Sequence, residues 1–534
     1  MKKILLLMIF AVLLTACSTE NNSENEASKQ NSSNEQVEDN KNNELEDVYT
    51  DPSWAKESVF YEIFVRSFCD SNGDGIGDFN GITSKIPYLK ELGVDAIWLM
   101  PMMDAYKYHG YDVINYYDVD ADYGTMEDFE NLVKACHDND MEIIIDFVVN
   151  HTSIEHEWFK SAISDENSEY RDYYTIYGGI ENRPEDMGGV RLHKETKQLF
   201  YGNYDYNMPD LNYSNPKVRE EIKAVATFWL EKGVDGFRLD GAKEIDKDMS
   251  ITHDWWKEFS QHVLSINPKA FIVGESWYGN YAELADFYGD MTSSFNFPFN
   301  YSVESIIAGN EVDLVEAQNV AYKCFADAAA AEGSVVDVIV DSTIIGNHDM
   351  TRIAFRAQSV EKAKLAAALQ FTLSGTPFIY YGDELGQIST SGDYTKRESF
   401  DWYKSAVGEG MTVNKQACGV DPAYTIPDDG ISLEEQENDP NSIYNYYKKL
   451  IAIRKSNPVM FTGEYKTIGW ENGLYSYTIS GAEDGSTILV VHNNKENAIE
   501  YTVNEGGKEL IKEVDIEKGS KITIGAYETV IIKY

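Results

Sequence analysis

The sequence is short of basic side chains and has no long hydrophobic run. Only 45 Lys and Arg residues stand against 90 Asp and Glu among 534 residues, so the formal net charge is −45. Nucleic acids and anionic membrane surfaces bind basic protein faces, and this balance argues against both as partners. The longest apolar run, at residues 4–14, is too short to cross a bilayer as a helix.

Cysteine is also scarce. Besides Cys17 the chain has only Cys69, Cys136, Cys324 and Cys418, with no C-x-x-C pair and no histidine at metal-ligand spacing. These absences argue against zinc sites and thiol redox motifs. The four cysteines could form two disulfides in any of three pairings, or none. We expect none, because a chain of this size does not depend on disulfides for its core.

Aromatic residues, by contrast, are plentiful. They make up 13% of the chain, and 36 of them are Tyr, within a hydrophobic content of 43%. This composition provides for one large folded domain with smaller ones beside it. Tyrosine in an acidic protein suits sugar binding, because rings stack on pyranose faces and hydroxyls form hydrogen bonds. Packing of the same tyrosines in a large α/β core remains the alternative.

The first residues predict secretion. Two lysines in residues 1–3, the apolar run and the small residues before Cys17 predict a removable signal peptide at 1–16. The Leu-Thr-Ala-Cys ending resembles a bacterial lipobox, which implies that Cys17 is lipid-modified; an ordinary signal peptide with an incidental cysteine is the alternative. Residues 17–52 are acidic and almost free of apolar side chains, which predicts a disordered tether. The protein would then be held on the extracellular face of the bacterial membrane.

From residue 53 onward the pattern indicates an α/β fold. Near-continuous apolar runs, typical of parallel strands buried on both faces, occur at 59–64, 96–100, 143–148, 236–240, 271–275 and 378–381. Helical segments lie between them, at 126–140, 215–232 and 360–372. This alternation over most of the chain predicts a closed eight-stranded (β/α)8 barrel, in which catalysis occurs at the carboxyl ends of the strands.

Four segments follow the ends of predicted strands: Asp-Phe-Val-Val-Asn-His at 146–151, Gly-Phe-Arg-Leu-Asp at 236–240, Gly-Glu-Ser-Trp at 274–277 and Gly-Asn-His-Asp at 346–349. Three more lie along the chain with them: 93–101 before the four, 208–212 between them and 375–384 after them. In this order they resemble the motifs of the α-amylase family of glycoside hydrolases (family 13). The Met-Pro-Asp-Leu-Asn segment at 208–212 resembles a group intermediate between oligo-1,6-glucosidases and neopullulanases.

Three carboxylates are placed to project from strands four, five and seven of the predicted barrel. Asp240 and Glu275 are 35 residues apart, about one βα repeat, and Asp349 comes 74 residues later, so all three would project into one mouth. Glycoside hydrolysis needs one nucleophilic or basic carboxylate and one that donates a proton. The resemblance implies that Asp240 is the nucleophile, Glu275 the general acid/base and Asp349 the group that holds sugar hydroxyls and steadies the transition state.

Two cations flank Asp240. Arg238 precedes it by two residues on the same strand face, and its charge would keep Asp240 ionised. The resemblance implies that Lys243 contacts substrate on the leaving-group side. Glu244 stands where many family members have His, which puts in doubt the calcium ion that they hold with the equivalent of Asn150.

Further sugar contacts are implied by the resemblance. His151 and His348 occupy the positions at which the family binds hydroxyls of the sugar at the cleavage point. Tyr111 matches the aromatic platform beneath that sugar, and His109 belongs to the same edge. A structural hydrogen-bonding role is the alternative for each histidine.

A calcium loop is predicted just after the first strand. Asp70, Asn72, Asp74 and Asp78 alternate as oxygen ligands do in an EF-hand loop, and Ile76 offers its carbonyl. The twelfth position is not Glu and no paired helices are evident, so a calcium sensor is not expected. The loop resembles a structural calcium site in many family members; a turn without metal is the alternative.

The same resemblance divides the chain. We expect the catalytic barrel at 53–149 and 213–457, an inserted domain B at 150–212, and a C-terminal antiparallel β domain at 458–534.

The predicted activity is retaining endo-hydrolysis of α-1,4-glucosidic bonds in starch and maltooligosaccharides by a monomer. A neopullulanase, an α-glucosidase or a glucanotransferase of the same family is the alternative, because one fold and one triad serve all of them. A non-catalytic glucan-binding surface protein is a remote alternative, which the presence of all three acids opposes.

Overall fold

The computed structural model describes residues 51–534. The predicted signal peptide, Cys17 and the acidic segment up to residue 50 lie outside the described residues. Eight parallel strands form a closed barrel, in which each strand pairs with its neighbours in chain order and the eighth pairs with the first. The strands are β1 (Phe60–Ile63), β2 (Ala96–Leu99), β3 (Glu142–Phe147), β4 (Gly236–Leu239), β5 (Phe271–Gly274), β6 (Ser293–Asn296), β7 (Val340–Ile344) and β8 (Thr376–Tyr380). The predicted (β/α)8 fold is confirmed.

Aromatic side chains fill the barrel interior. Phe60 stacks on Phe378 with ring centroids 4.3 Å apart, and Trp98 contacts Phe295 at 5.3 Å. All four side chains are buried, and they pack in one cluster with Phe271. The barrel is therefore a packed core rather than a channel, which leaves its carboxyl end as the place for a polar site.

Helices surround the barrel or lie in the loops at its ends. Each of the three predicted segments holds a helix, and the one at 126–140 begins at a capping box formed by Thr125 and Asp128. The helices are Val65–Phe68, Phe79–Ser84, Ile86–Leu92, Met126–His137, Glu157–Ser164, Pro216–Glu231, Met249–Ile266, Tyr281–Ala285, Phe297–Ile307, Leu314–Ala329, Ile353–Ala357, Val360–Thr372, Asp393–Lys396, Asn414–Ala417, Leu433–Gln436, Ile443–Lys455 and Val459–Thr462.

Strands β6 and β7 have no counterpart among the apolar runs, because polar side chains carry much of their packing. Asn296 donates to Asp341 across the two strands at 2.9 Å, and Gln318 from an outer helix donates to the other oxygen of Asp341 at 2.9 Å. The hydroxyls of Ser293 and Ser342 are 2.6 Å apart. These groups are buried but mutually hydrogen-bonded, which makes a polar strand tolerable in a core.

A long segment between β3 and the helix Pro216–Glu231 covers one side of the barrel mouth. It contains the helix Glu157–Ser164 and a three-stranded antiparallel sheet of Ile176–Gly178, Val190–Leu192 and Leu199–Tyr201. An isolated antiparallel bridge pairs the backbone of His151, at the start of this segment, with that of Asp210, near its end. In the loop after β2, Met103–Ala105 pairs with Val113–Val119 as a short antiparallel hairpin.

The chain ends in antiparallel sheet. Six strands pair in the order Glu464–Glu471, Leu474–Ser480, Ile488–Asn493, Thr529–Lys533, Gly507–Glu509 and Val514–Ile516, and Ile499–Thr502 pairs with Lys521–Ile524. Between residues 51 and 534 no disulfide joins the cysteines. Within the same range, no helix combines the length and apolar character that a membrane span requires.

Candidate active site

The three predicted catalytic acids meet at the carboxyl end of the barrel. Asp240 follows β4, Glu275 follows β5, and Asp349 lies in the loop after β7. They line one cleft of about 500 Å³ together with four other predicted residues, His109, Tyr111, His151 and Lys243, and with unpredicted neighbours such as Trp277. Arg238 and His348 are fully buried directly beneath these groups.

Arg238 links the acids from below. Its guanidinium contacts Asp146 at 2.9 Å, Asp240 at 2.8 Å and Glu275 at 3.1 Å. Burial alone would lower the pKa of Arg238, but the surrounding carboxylates, Asp146 first, raise it well above its usual range. The cation therefore stays charged and orients both neighbouring acids of the cleft.

Glu275 is held in an environment that favours its protonated form. Burial, reinforced by the negative charges of Asp240 and Asp349, raises the pKa of Glu275 to about 7, although Arg238 opposes the shift. The backbone N–H of Gly241 donates to its Oε2 at 3.2 Å. A carboxyl group of this kind can hold a proton near neutral pH.

Asp349 is held in the opposite state. Burial alone would raise the pKa of Asp349, but His348 and Arg397 lower it well below its usual range. His348 Nε2 lies 3.0 Å from Asp349, and Arg397 donates to the other carboxylate oxygen at 2.9 Å. On its far side His348 Nδ1 contacts Glu62 at 2.5 Å. The carboxylate charges of Asp349 and Glu62 outweigh burial and raise the pKa of His348 to about 9.

An aromatic edge closes one side of the cleft. The Tyr111 hydroxyl donates to Asp146 at 3.1 Å and lies 2.5 Å from His348 Nε2. His151 contacts the carbonyl of Tyr111 at 2.9 Å, and the ring of His109 stacks against Tyr111 at 6.0 Å. Burial, with help from Arg397 and Lys107, lowers the pKa of His109 to about 3, and burial lowers that of His151. Both imidazoles are thus neutral groups at the cleft.

The opposite rim carries Lys243. Its ammonium donates to the carbonyl of Trp277 at 3.0 Å and lies 4.9 Å from the ring centroid of Tyr278. Tyr204, from the inserted segment, also lines the cleft and is 45% exposed. Beside this rim, the side chain of Asn150 donates directly to the carbonyl of Glu244 at 2.6 Å.

The predicted calcium loop lies outside the cleft lining. Asp70 accepts backbone N–H groups from Asn72 and Gly75 at 3.0 and 2.7 Å, and Asp74 accepts from Ile76 at 2.8 Å. Oxygen-only donors suit calcium. However, no group of three acidic, histidine or cysteine side chains in residues 51–534 is arranged to hold a metal. The ligand set of Asp70, Asn72, Asp74, Ile76 and Asp78 stays a prediction.

Some contributors to the site were not predicted, among them two charged strand residues and two loop residues. Glu62 and Asp146 are charged residues inside otherwise apolar buried strands, and that contrast was a signal available in the sequence. Arg397 and Tyr204 lie in long loops with no local pattern that marks them. The folded conformation of those loops places both side chains at the cleft.

Comparisons with known proteins agree with this arrangement. A family model described as the catalytic domain of alpha amylase matches residues 62–463. Alpha-amylase 3 from Dictyoglomus thermophilum is 41% identical over 495 residues, covering 91% of this chain and 94% of that protein. A 4-alpha-glucanotransferase from Thermotoga maritima is 33% identical, covering 82% and 95%. The crystal structure of alpha-amylase from H. orenii matches with a TM-score of 0.79 at 36% identity and covers 90% of this chain and 99% of that one. This chain therefore belongs to the alpha-amylase family of glycoside hydrolases.

Proposed function

We propose that the protein is a retaining endo-hydrolase of α-1,4-glucosidic bonds in starch and maltooligosaccharides. The observation that carries the proposal is the convergence of Asp240, Glu275 and Asp349 on one cleft above a shared arginine. The similarity to Alpha-amylase 3 over nine-tenths of the chain supports the same substrate class.

In the proposed reaction, Asp240 attacks the anomeric carbon while Glu275 donates its proton to the leaving glycosidic oxygen. Water, activated by the deprotonated Glu275, then cleaves the covalent glycosyl intermediate and restores both carboxyl groups. Asp349, kept ionised by His348 and Arg397, would hold sugar hydroxyls and stabilise the cationic transition state.

The electrostatics of the cleft support these roles. The raised pKa of Glu275 suits a proton donor, and the 2.8 Å contact with Arg238 holds the Asp240 carboxylate in place as the nucleophile. Both acids contact the Arg238 guanidinium, so one cation holds them at the same region of the cleft.

A product time course on soluble starch and on pullulan tests the activity. An endo-acting α-amylase releases mixed oligomers early from starch and leaves pullulan intact. Panose from pullulan would instead indicate a neopullulanase, and glucose alone from chain ends an exo-glucosidase; either result would contradict the proposal.

The variant Glu275→Gln tests the mechanism. It should abolish hydrolysis of a blocked maltoheptaoside while maltoheptaose still binds, because only the proton donor is lost. Glu283→Gln, an exposed site eight residues along the chain, is the control and should hydrolyse the substrate normally. Near-normal turnover by Glu275→Gln would refute the assigned roles.

Transfer of glucan chains is the second candidate, favoured by the similarity to the Thermotoga maritima glucanotransferase. An enzyme that mainly transfers would convert maltotriose into longer oligosaccharides at a rate exceeding hydrolysis. Chromatography of maltotriose digests distinguishes the two.

We further propose that the protein is a monomeric lipoprotein anchored through Cys17 and that a calcium ion occupies the loop at 70–78. The lipobox-like sequence supports the first, and the alternating oxygen donors support the second.

A further inference from the structure

A second cavity lies at the amino end of the barrel, opposite the catalytic cleft. It has a volume of about 320 Å³, and the first residues of β7 and β8, Val340 and Thr376, line it. The cleft lies instead at the carboxyl ends of the strands, so the packed interior of the barrel separates the two cavities. A volume of this size can hold one small molecule.

Three aromatic side chains from separate parts of the chain line this cavity. Trp54, which precedes β1, packs against the core residue Phe60 with ring centroids 5.6 Å apart. Phe461 lies over the buried guanidinium of Arg454, which is 4.5 Å from the ring centroid. Tyr322 extends from an outer helix, and all three rings are partly buried. The rings of Trp54 and Phe461 are therefore held in place from behind.

A buried carboxylate lines the same cavity. Asp341 is 1% exposed, and its two oxygens accept from the amides of Asn296 and Gln318, each at 2.9 Å. Burial raises the pKa of Asp341 to about 6, and the two amides oppose this shift. No cationic side chain in the described part of the chain contributes to it. A carboxylate buried this deeply is normally paired with a cation.

The neighbouring cations do not supply the missing positive charge. Lys56 and Glu57 also border the cavity, with opposite charges, and Lys56 has no effect on the pKa of Asp341. Arg454 is fully buried, and its guanidinium donates to the backbone carbonyls of Phe371 and Leu373. The cavity thus combines aromatic walls with a negative charge that no side chain compensates.

We propose that this cavity binds a small organic ammonium cation, such as a quaternary amine, between the rings of Trp54 and Tyr322 and beside the carboxylate of Asp341. An aromatic face attracts a cation through its ring quadrupole, most strongly in tryptophan, and the carboxylate adds direct charge attraction. Phe461, whose ring already meets Arg454, would contact the methyl groups of the ligand. Calcium and magnesium suit the cavity less, because they need several oxygen ligands and the aromatic walls offer few. The site is independent of the reaction proposed for the cleft.

Calorimetric titration of the full chain with choline and with 3,3-dimethylbutan-1-ol tests the role of charge. The second compound is a neutral molecule of nearly the same shape as choline. Choline should bind saturably at one site and at least about 10-fold more tightly than the neutral compound. Equal affinities, or no binding of choline, would overturn the proposal.

Two variants test where choline binds. Asp341→Asn keeps the shape of the side chain and should abolish the preference for choline over the neutral compound. Tyr322→Leu removes a ring from an outer helix and should weaken choline binding about 3- to 10-fold, so it tests the site even if Asp341→Asn does not fold.

Tyr117→Leu is the matched control for the loss of a ring. Tyr117 is 40% exposed, packs edge-on against Phe228 and does not line the cavity, so this variant should bind choline as the wild type does. Wild-type affinity for choline in Tyr322→Leu, with the preference over the neutral compound retained in Asp341→Asn, would place choline elsewhere on the protein. That result would overturn the proposal.

Discussion

At the scale of single residues, the protonation of His348 depends on Glu62, a residue outside the sequence motifs. Glu62 is the one charged residue in β1 and is 2% exposed. Its contact with His348 completes a chain of alternating charges from Glu62 through His348 to Asp349 and Arg397. Glu62 does not line the cleft and contacts His348 behind it, so we regard it as a positioning residue.

Glu62→Gln should therefore make stability less dependent on pH. The pKa of His348 is raised to about 9, so its ion pairs stabilise the fold fully below about pH 6.5 and are lost as pH rises through 9. The variant should unfold more easily than wild type by about 1–3 kcal/mol at pH 6, and the difference should shrink toward pH 9. Urea unfolding at pH 6, 7.5 and 9 measures this.

Glu91→Gln provides the comparison for that experiment. Glu91 pairs with Lys448 at the surface and its side chain is 66% exposed, so its removal should have a small effect that is similar at all three pH values. A constant difference between Glu62→Gln and wild type across the pH range would show that Glu62 does not act through the charge of His348.

At the scale of elements, the loop at 70–78 is fastened to a distant part of the chain. Its Asp70 N–H donates to the carbonyl of Gly410, and the N–H of Val413 donates to the carbonyl of Gly75. An ion bound in this loop would therefore stabilise the junction between the first βα unit and the loop after β8.

Removing calcium should lower the unfolding temperature. A ligand at one hundred times its Kd contributes about 2.7 kcal/mol, which a chelator would abolish and added calcium would restore. Asp74→Asn should weaken the response, whereas Asp484→Asn, in a similar exposed turn of the C-terminal sheet, should leave it intact. Equal unfolding temperatures with and without chelator would contradict the calcium proposal.

At the scale of the whole molecule, the proposed lipid anchor at Cys17 would determine where the enzyme meets its substrate. The acidic segment predicted from sequence as a tether runs from residue 17 to residue 52, and a random coil of about 35 residues would reach roughly 30 Å. Cys17→Ser should release active enzyme from the membrane fraction into the medium, while Ser18→Ala should leave it bound. Retention of Cys17→Ser on membranes would refute the lipoprotein proposal.

The sequence by itself determined the barrel class and the position of the catalytic acids. Buried parallel strands need continuous apolar runs, and Asp240 and Glu275 stand directly at the ends of such runs, so both are local signals that survive without coordinates; Asp349, after the polar strand β7, was assigned by its motif. This is why β3, β4 and β5 were predicted together with Asp240 and Glu275. Strands β6 and β7 escaped prediction because their polar groups are satisfied by one another, a pairing between residues 45 positions apart in the case of Asn296 and Asp341.

Only the tertiary structure decided the charge state of the site. Glu62 meets His348 across 286 positions, and Arg397 reaches Asp349 from a loop 48 positions away. No local sequence pattern marks either contact. Closing the barrel brings β1, with Glu62, beside the loop after β7, and the path of the loop after β8 brings Arg397 there. The pKa of Glu275 depends on burial and on Arg238, Asp240 and Asp349, and the pKa of His348 depends on burial, Asp349 and Glu62. Burial and these contacts exist only in the folded chain.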